Sequence, residues 1–418
     1  MEEERSYKLP SNTLPAISFK DHAGDLRKFE EFAERLGVKT HNTRISRYAQ
    51  YFEDLAHGKT IDEKKIFKNV NDSRFQSSID WQLYLLREAH ELMWILRGLE
   101  KHAPKGIEAK VEKIVSGSDF AALDKNTESR DTQFELRMAS YFCQSGCIVD
   151  LSTETDIIAI TDKHSFFVEC KRIAGIRNLK DNLMKAKEQI TCRMPKKYEG
   201  RRTYGIIAAD VTKLGFSHNG LTMAMTTDHA RDIIQDKLKM IGKKVLALPV
   251  FSGRPDIIEC LLQIHMPSVV MHPPATSTRF SSYSLRNYKI DKKSASAINE
   301  FYNIFQVGQM ADKREIPSET LKFREYVDVP EGAEFSMERE PVKSILLGLK
   351  VGGFNLESIV GSIKMSGVVH EFTVMELQMV LGRFKPDQIR RLASNESERW
   401  ELLLQMFAQR YPYKESFY

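Results

Sequence analysis

Between Phe134 and Val211 the apolar pattern changes period repeatedly, and that alternation narrows the possible folds more than any bulk property of the chain. Residues 134–143 carry apolar side chains at helical spacing. Residues 148–151, 156–160 and 165–171 are short and rich in β-branched and aromatic types. Residues 178–194 return to the helical period, with Leu179, Leu183, Ala186 and Ile190 on one stripe. Residues 205–211 then read as a buried strand, and 257–266 as another. The stretch 245–251 between them fits either a helix end or a strand. Helix, three strands, helix, strand predicts an α/β core.

The flanks read differently. Residues 43–55 and 79–98 have helical periodicity, the latter ending on Gly98 as a stop signal, and no strand pattern of comparable strength occurs before 115. Val115, Ser116, Gly117, Ser118 and Asp119 form a break. The Pro/Ser/Thr-rich stretch 272–282 reads as a linker to a last region. That region carries a hairpin at 322–337 around Pro330, Glu331 and Gly332, and helices at 373–384 and 396–411. The expected organisation is a helical N-terminal domain (1–115), an α/β domain (116–275) and an α+β accessory or interaction domain (276–418).

Apolar residues make up 42% of the 418 and charged residues 28%, a balance that supports buried cores. No apolar run approaches the roughly 20 residues of a membrane helix. The start, Met1 to Asn12, is acidic where a secretory signal would be basic and then apolar. A cytoplasmic protein without a membrane partner is expected. The five cysteines, Cys143, Cys147, Cys170, Cys192 and Cys260, are sparse, odd in number and without metal-ligand spacing, so they read as small buried hydrophobes. His90 and Glu91 begin a zinc-protease pattern that fails at position 94, which is Trp, leaving His90 as a helix-face residue. His218, His229 and His265 also lack metal-ligand spacing, and no phosphate-binding loop of the GxxxxGK[ST] type occurs.

One strand carries chemistry. In Phe166, Phe167, Val168, Glu169, Cys170, Lys171, Arg172, side chains alternate, so Phe167, Glu169 and Lys171 share one face. An apolar strand ending in a carboxylate and an amine is poorly explained by packing, because buried charge is costly unless it is paired or binds metal. Asp156 opens the preceding strand, thirteen residues earlier, and antiparallel pairing can bring it against Glu169. Two carboxylates and a lysine suit phosphodiester hydrolysis. The carboxylates hold Mg²⁺ or Mn²⁺, and the lysine stabilises charge on the phosphate or helps position or deprotonate the water. Between Lys171 and Arg202 stand eleven Lys or Arg and three acids, a net +8 within a chain of net +5. Such a segment suits a polyanion. Lys180, Lys185, Lys187, Arg193, Lys196 and Lys197 are its candidate phosphate contacts.

The pattern Asp156-x₁₂-Glu169-Cys170-Lys171 resembles the PD-(D/E)XK nuclease superfamily, across about residues 127–270. Thr155 stands where the named signature has proline. The resemblance implies a restriction-endonuclease-like fold, a mixed sheet flanked by helices. It also implies a glutamate on the helix before the first core strand, a place that Glu135 occupies, and a polar residue on the helix after the E-x-K strand, a place that Gln189 occupies. Glu135 shares a helical flank with Met138, Ala139 and Phe142, which turns it inward. The implied activity is Mg²⁺- or Mn²⁺-dependent cleavage of DNA by an endonuclease, in restriction, mobile-element or phage-defence biology. The flanking regions would serve target choice, a protein partner or self-association. An RNA nuclease and a non-catalytic nucleic-acid-binding or scaffold protein of the same fold are the rival readings.

Overall fold

The computed structural model describes residues 6–8, 18–67, 77–121, 126–216, 222–224, 227–271, 274–289, 292–310, 324, 326–349, 351–381, 384 and 386–411. A three-residue strand, β1 (Ser6–Lys8), comes first, although the sequence pattern of this region gave no sign of one. The helical patterns form α1 (Phe19–Arg35), α2 (Arg44–Ala56), α3 (Glu63–Ile66), α4 (Ser78–Lys101) and α5 (Ile107–Val115). α4 opens on a reciprocal cap between Ser77 and Asp80. It does not stop at Gly98 but continues to Lys101. Glycine stands there because α4 passes so close to α6 (Glu128–Gln144) that a side chain would collide with Ser140. Ser140 Oγ instead donates to the Trp94 carbonyl at 2.7 Å.

The alternating region follows its predicted order. After α6 come β2 (Ile148–Asp150), β3 (Ile157–Ile160), β4 (His164–Arg172), α7 (Leu179–Arg193), β5 (Lys197–Tyr198) and β6 (Arg201–Asp210). Then follow α8 (Thr212–Gly215), β7 (Thr222–Ala224), α9 (Thr227–Leu246), β8 (Ile257–Met271), β9 (Pro274–Arg286) and α10 (Lys292–Met310). β2, β3 and β4 form an antiparallel meander. The α7 crossover then lays β6 parallel to β4, and β8 is parallel to β6. Among the described residues the sheet runs β2-β3-β4-β6-β8-β7, with β5 on β6 and β9 on β8. Helices cover both faces, which makes the architecture mixed α/β.

The two faces have separate cores. Phe166, Val168, Tyr204, Ile206 and Ala208 pack with α4, α6 and α10. Ile207 and Ala209 pack with Leu183, Ala186 and Ile190 of α7 and with α9. α7 sits close because Gly205 leaves room: a Cβ there would stand 2.6 Å from Ile190. Strand alternation therefore turns Glu169 and Lys171 toward α7, and Arg172 and Asp210 toward α4 and α6.

One expectation from composition fails. The stretch 272–282 is not a linker. Residues 272 and 273 lie outside the described residues, but from Pro274 the chain is β9, paired with β8 as far as Arg286. Pairing along a long neighbouring strand outweighs the weak strand propensity of Ser and Pro, and Thr favours strands. The largest core also runs through both expected boundaries, from Ala23 to Phe305. Further on, Ala333 N–H closes a turn on Pro330 O at 3.2 Å, yet the flanking strands do not form a hairpin. β10 (Tyr326–Asp328) pairs with β1, whereas β11 (Glu334–Met337) pairs with β12 (Ile359–Met365). Positions 322, 323 and 325 of the expected hairpin lie outside the described residues. α11 (Arg339–Leu346), β13 (Val368–Thr373), α12 (Val374–Leu381), α13 (Pro386–Ser394) and α14 (Trp400–Arg410) complete this region around its own core. Among the described residues no helix is long and apolar enough to cross a membrane.

Candidate functional site

The register of β3 on β4 builds the site. Ile157 pairs with Val168, so Asp156, one residue before β3, comes level with Glu169. Asp156 Oδ2 accepts the Cys170 backbone N–H at 2.7 Å, which ties the carboxylate to the neighbouring strand. Lys171 Nζ lies 3.9 Å from Asp156 Oδ2 and 3.7 Å from Glu169 Oε2, near enough for charge attraction and too far for a hydrogen bond. Glu169 is fully buried, and its Oε2 has no hydrogen-bond partner. Burial, and then the Asp156 carboxylate, push the Glu169 carboxyl up to about 7, against the pull of Lys171 and Arg193.

Glu135 belongs to the same electrostatic cluster. It projects from α6, largely buried, and forms an ion pair with Lys110 of α5. Burial raises its carboxyl above the ordinary range, Asp156 raises it further, and Lys110 opposes both. Gln189 lies on α7 with its Oε1 buried and without a hydrogen-bond partner, one helical turn before Arg193. No hydrogen bond joins Gln189 to the carboxylates among the described residues.

Arg193 differs from its expected part. Its Nη1 donates to Glu169 Oε1 at 3.0 Å and to the Glu154 carbonyl at 2.6 Å. It therefore braces a site carboxylate instead of standing open to a phosphate. Lys187 is likewise engaged, donating to the carbonyls of Pro249 and Ser252 at 2.7 and 2.6 Å. Lys180, Lys185, Lys196 and Lys197 are exposed, as a phosphate-contacting set requires. Four cysteines are buried, Cys192 is exposed, and all five are free thiols.

A second polar cluster, which sequence reasoning missed, lies on the other face of the sheet. Arg44, fully buried, donates to Ile114 O at 2.7 Å, Glu88 at 3.2 Å and Gln133 at 2.6 Å. Glu88 also pairs with Arg130. Gln133 donates to Glu91 at 2.7 Å, and Arg137 bridges Glu91 at 2.8 Å and Asp210 at 3.0 Å. His90 lies on the buried face of α4, its Nδ1 3.1 Å from His265 Nε2. The network fastens α2 and α4 to α6 and β6. Its sequence signal was the match between two helix faces: Glu88 and Glu91 at i, i+3, against Arg130, Gln133 and Arg137 at i, i+3, i+7.

The donor set fits a hard divalent cation in part. Among the described residues no three His, Cys, Asp or Glu side chains converge as a metal-binding group. Mg²⁺ is nevertheless commonly held by one or two carboxylates, with water and phosphate oxygens filling the shell. Asp156 and Glu169 meet that smaller requirement, and Glu169 Oε2 has no hydrogen bond. No protein-family model, curated protein or solved structure matches the chain.

Proposed function

We propose that the chain is a metal-dependent deoxyribonuclease with a restriction-endonuclease-like core, cutting DNA internally in defence against foreign or mobile DNA. The observation that carries the reading is the Asp156–Glu169–Lys171 cluster at the ends of adjacent strands, with Glu169 Oε2 buried and without a hydrogen bond. A closed structural network would hydrogen-bond that oxygen. A cation site leaves it available.

In this reading Asp156 and Glu169 hold Mg²⁺ or Mn²⁺ through oxygen. A bound cation of this kind lowers the pKa of its water and offsets charge on the phosphate. Lys171 faces the reacting phosphate, where its ammonium stabilises developing charge or positions the water. Arg193 fixes the rotamer of Glu169, and Glu135 and Gln189 orient the ensemble from α6 and α7. The exposed Lys180, Lys185, Lys196 and Lys197 guide the polyanion along α7.

The test is digestion of supercoiled plasmid and of RNA, side by side, with Mg²⁺, Mn²⁺, Ca²⁺ or EDTA. The expected result is DNA cleavage with Mg²⁺ or Mn²⁺, little turnover with Ca²⁺, whose looser geometry positions water poorly, and none in EDTA. Cleavage of RNA alone would reassign the substrate. Binding of either without cleavage under any metal would favour the scaffold reading.

A further inference from the structure

A cavity of about 120 Å³ opens between α4, α6 and the carboxyl ends of β4 and β6, on the sheet face away from Glu169. Crevices at the carboxyl ends of parallel strands are common ligand sites. Arg87, Arg130, Arg137, Arg172 and Lys213 line it, against the carboxylates of Glu88, Glu91, Asp131 and Asp210.

Most carboxylate oxygens of this cavity accept hydrogen bonds, Asp131 Oδ1 excepted, and some of its donors are unused. Both oxygens of Glu91 take bonds, from Arg137 and Gln133. Both oxygens of Asp210 do so too, from Arg137 and from Thr212 N–H at 2.9 Å. Glu88 Oε2 is shared by Arg44 and Arg130. Arg137 is 1% exposed, yet its Nε–H has no hydrogen-bond partner. A buried guanidinium N–H without an acceptor calls for one. Arg172 reaches Asp131 and Asp210 only at 3.6 and 4.0 Å, beyond hydrogen-bond range, so its donors also remain available. The missing component is a compact anion that accepts from several sides.

We propose that this cavity binds a phosphate monoester, the terminal phosphate of a nucleic-acid strand or of a free nucleotide. Tetrahedral phosphate oxygens meet converging guanidinium N–H groups in charge-assisted bonds. The cavity has room for a phosphate group and opens to solvent, and the rest of the ligand projects outward past Lys213, which is exposed at the rim. Arg172 directly follows Lys171 on β4, so a seated strand end would set the distance from that end to the cleaved bond. This consequence rests on the nuclease reading; the binding does not.

The test is binding to the full-length chain in EDTA, where cleavage cannot contribute. Four probes are titrated: thymidine 5′-monophosphate, thymidine, and one short oligonucleotide with a 5′-phosphate or a 5′-hydroxyl. We expect at least about tenfold tighter binding of each phosphorylated form than of its hydroxyl partner, as loss of charged hydrogen bonds requires. Arg172→Gln and Lys213→Gln should each reduce that preference to less than about threefold. Lys213 is exposed, so its replacement leaves folding intact. A phosphorylated oligonucleotide that outcompetes the mononucleotide assigns the site to strand ends, and equal affinity assigns it to free nucleotides. Equal affinity for phosphorylated and hydroxyl forms, or a preference surviving in both variants, overturns the proposal. Loss of the preference with metal-dependent cleavage retained removes this site alone. Absence of cleavage with the preference retained removes the nuclease reading alone.

Discussion

Two charge clusters sit at the same ends of β4 and β6, one on each face of the sheet, and they treat buried carboxylates in opposite ways. Facing α4 and α6, burial would raise Glu91 and Asp210, but Arg137 overrides it and holds both below the usual carboxylate range. Facing α7, burial and Asp156 prevail, and Glu169 is raised to about 7 despite Lys171 and Arg193. The distances account for the difference. Both oxygens of Glu91 and of Asp210 accept hydrogen bonds, Arg137 giving one to each, whereas Glu169 accepts one, from Arg193 at 3.0 Å, and Lys171 stays 3.7 Å from its other oxygen. Glu88, deeper in the first cluster, is the exception there: burial outweighs Arg87 and Arg44 and raises it. A network whose carboxylate oxygens are bonded fastens helices to the sheet, and the cluster facing α7 leaves one carboxylate oxygen without a hydrogen bond.

The largest stability effect should come from breaking the bonded network. Arg137→Ala leaves Glu91 and Asp210 buried without their main partner, and a loss of about 3–5 kcal/mol is expected in urea unfolding. Lys171→Ala removes only ion pairs at 3.7–3.9 Å and no short hydrogen bond, so it should cost less than Arg137→Ala. Comparable losses in the two variants would erase the distinction.

The next effect is a pH dependence of opposite sign. Because the folded Glu169 carboxyl is raised from 4.5 to about 7, the folded chain binds more protons than the unfolded chain in that window. Its contribution is fully present below the unfolded value and is lost as pH rises through about 7. Glu169→Gln should therefore stabilise the metal-free protein at pH 8, by an amount on the order of 1–3 kcal/mol. Mn²⁺ affinity of the parent should rise with pH up to about 7, with proton release on binding. A melting temperature for Glu169→Gln below that of the parent at pH 8 would contradict the upward shift of this carboxyl.

A smaller effect separates the lysines still open to solvent from those already engaged. Replacing Lys196 and Lys197 together with Ala should weaken duplex binding across unrelated sequences and flatten the salt slope by about one to two units. Labelled duplex titrated at several salt concentrations measures it. An unchanged slope would mean that these lysines are only a solvated surface.

The sequence made local periodicity legible, and with it the site. Alternation located β3, β4 and β6, and because an antiparallel register follows from the meander, Asp156 could be placed beside Glu169. Features that depend on distant partners were hidden. Gly98 looks like a stop signal but is a crossing point with Ser140. Residues 274–286 have a loop-like composition yet form a strand because β8 lies alongside. The turn at Pro330 was visible, but its flanking strands go to separate sheets, one of them to pair with Ser6–Lys8. Arg193 reads as one of many basic residues until the fold brings Glu169 to it. Charge counts along a chain do not reveal which cations a carboxylate has already engaged.

The central claim, that Asp156 and Glu169 hold a cation which Lys171 helps to use, is tested most directly by plasmid nicking with the parent and single variants under Mg²⁺. The account predicts cleavage by the parent, its loss in EDTA, and rates lower by roughly a hundredfold or more in folded Asp156→Ala, Glu169→Ala and Lys171→Ala. Cleavage at the parental rate by Glu169→Ala, or full activity of the parent in excess chelator, would contradict it.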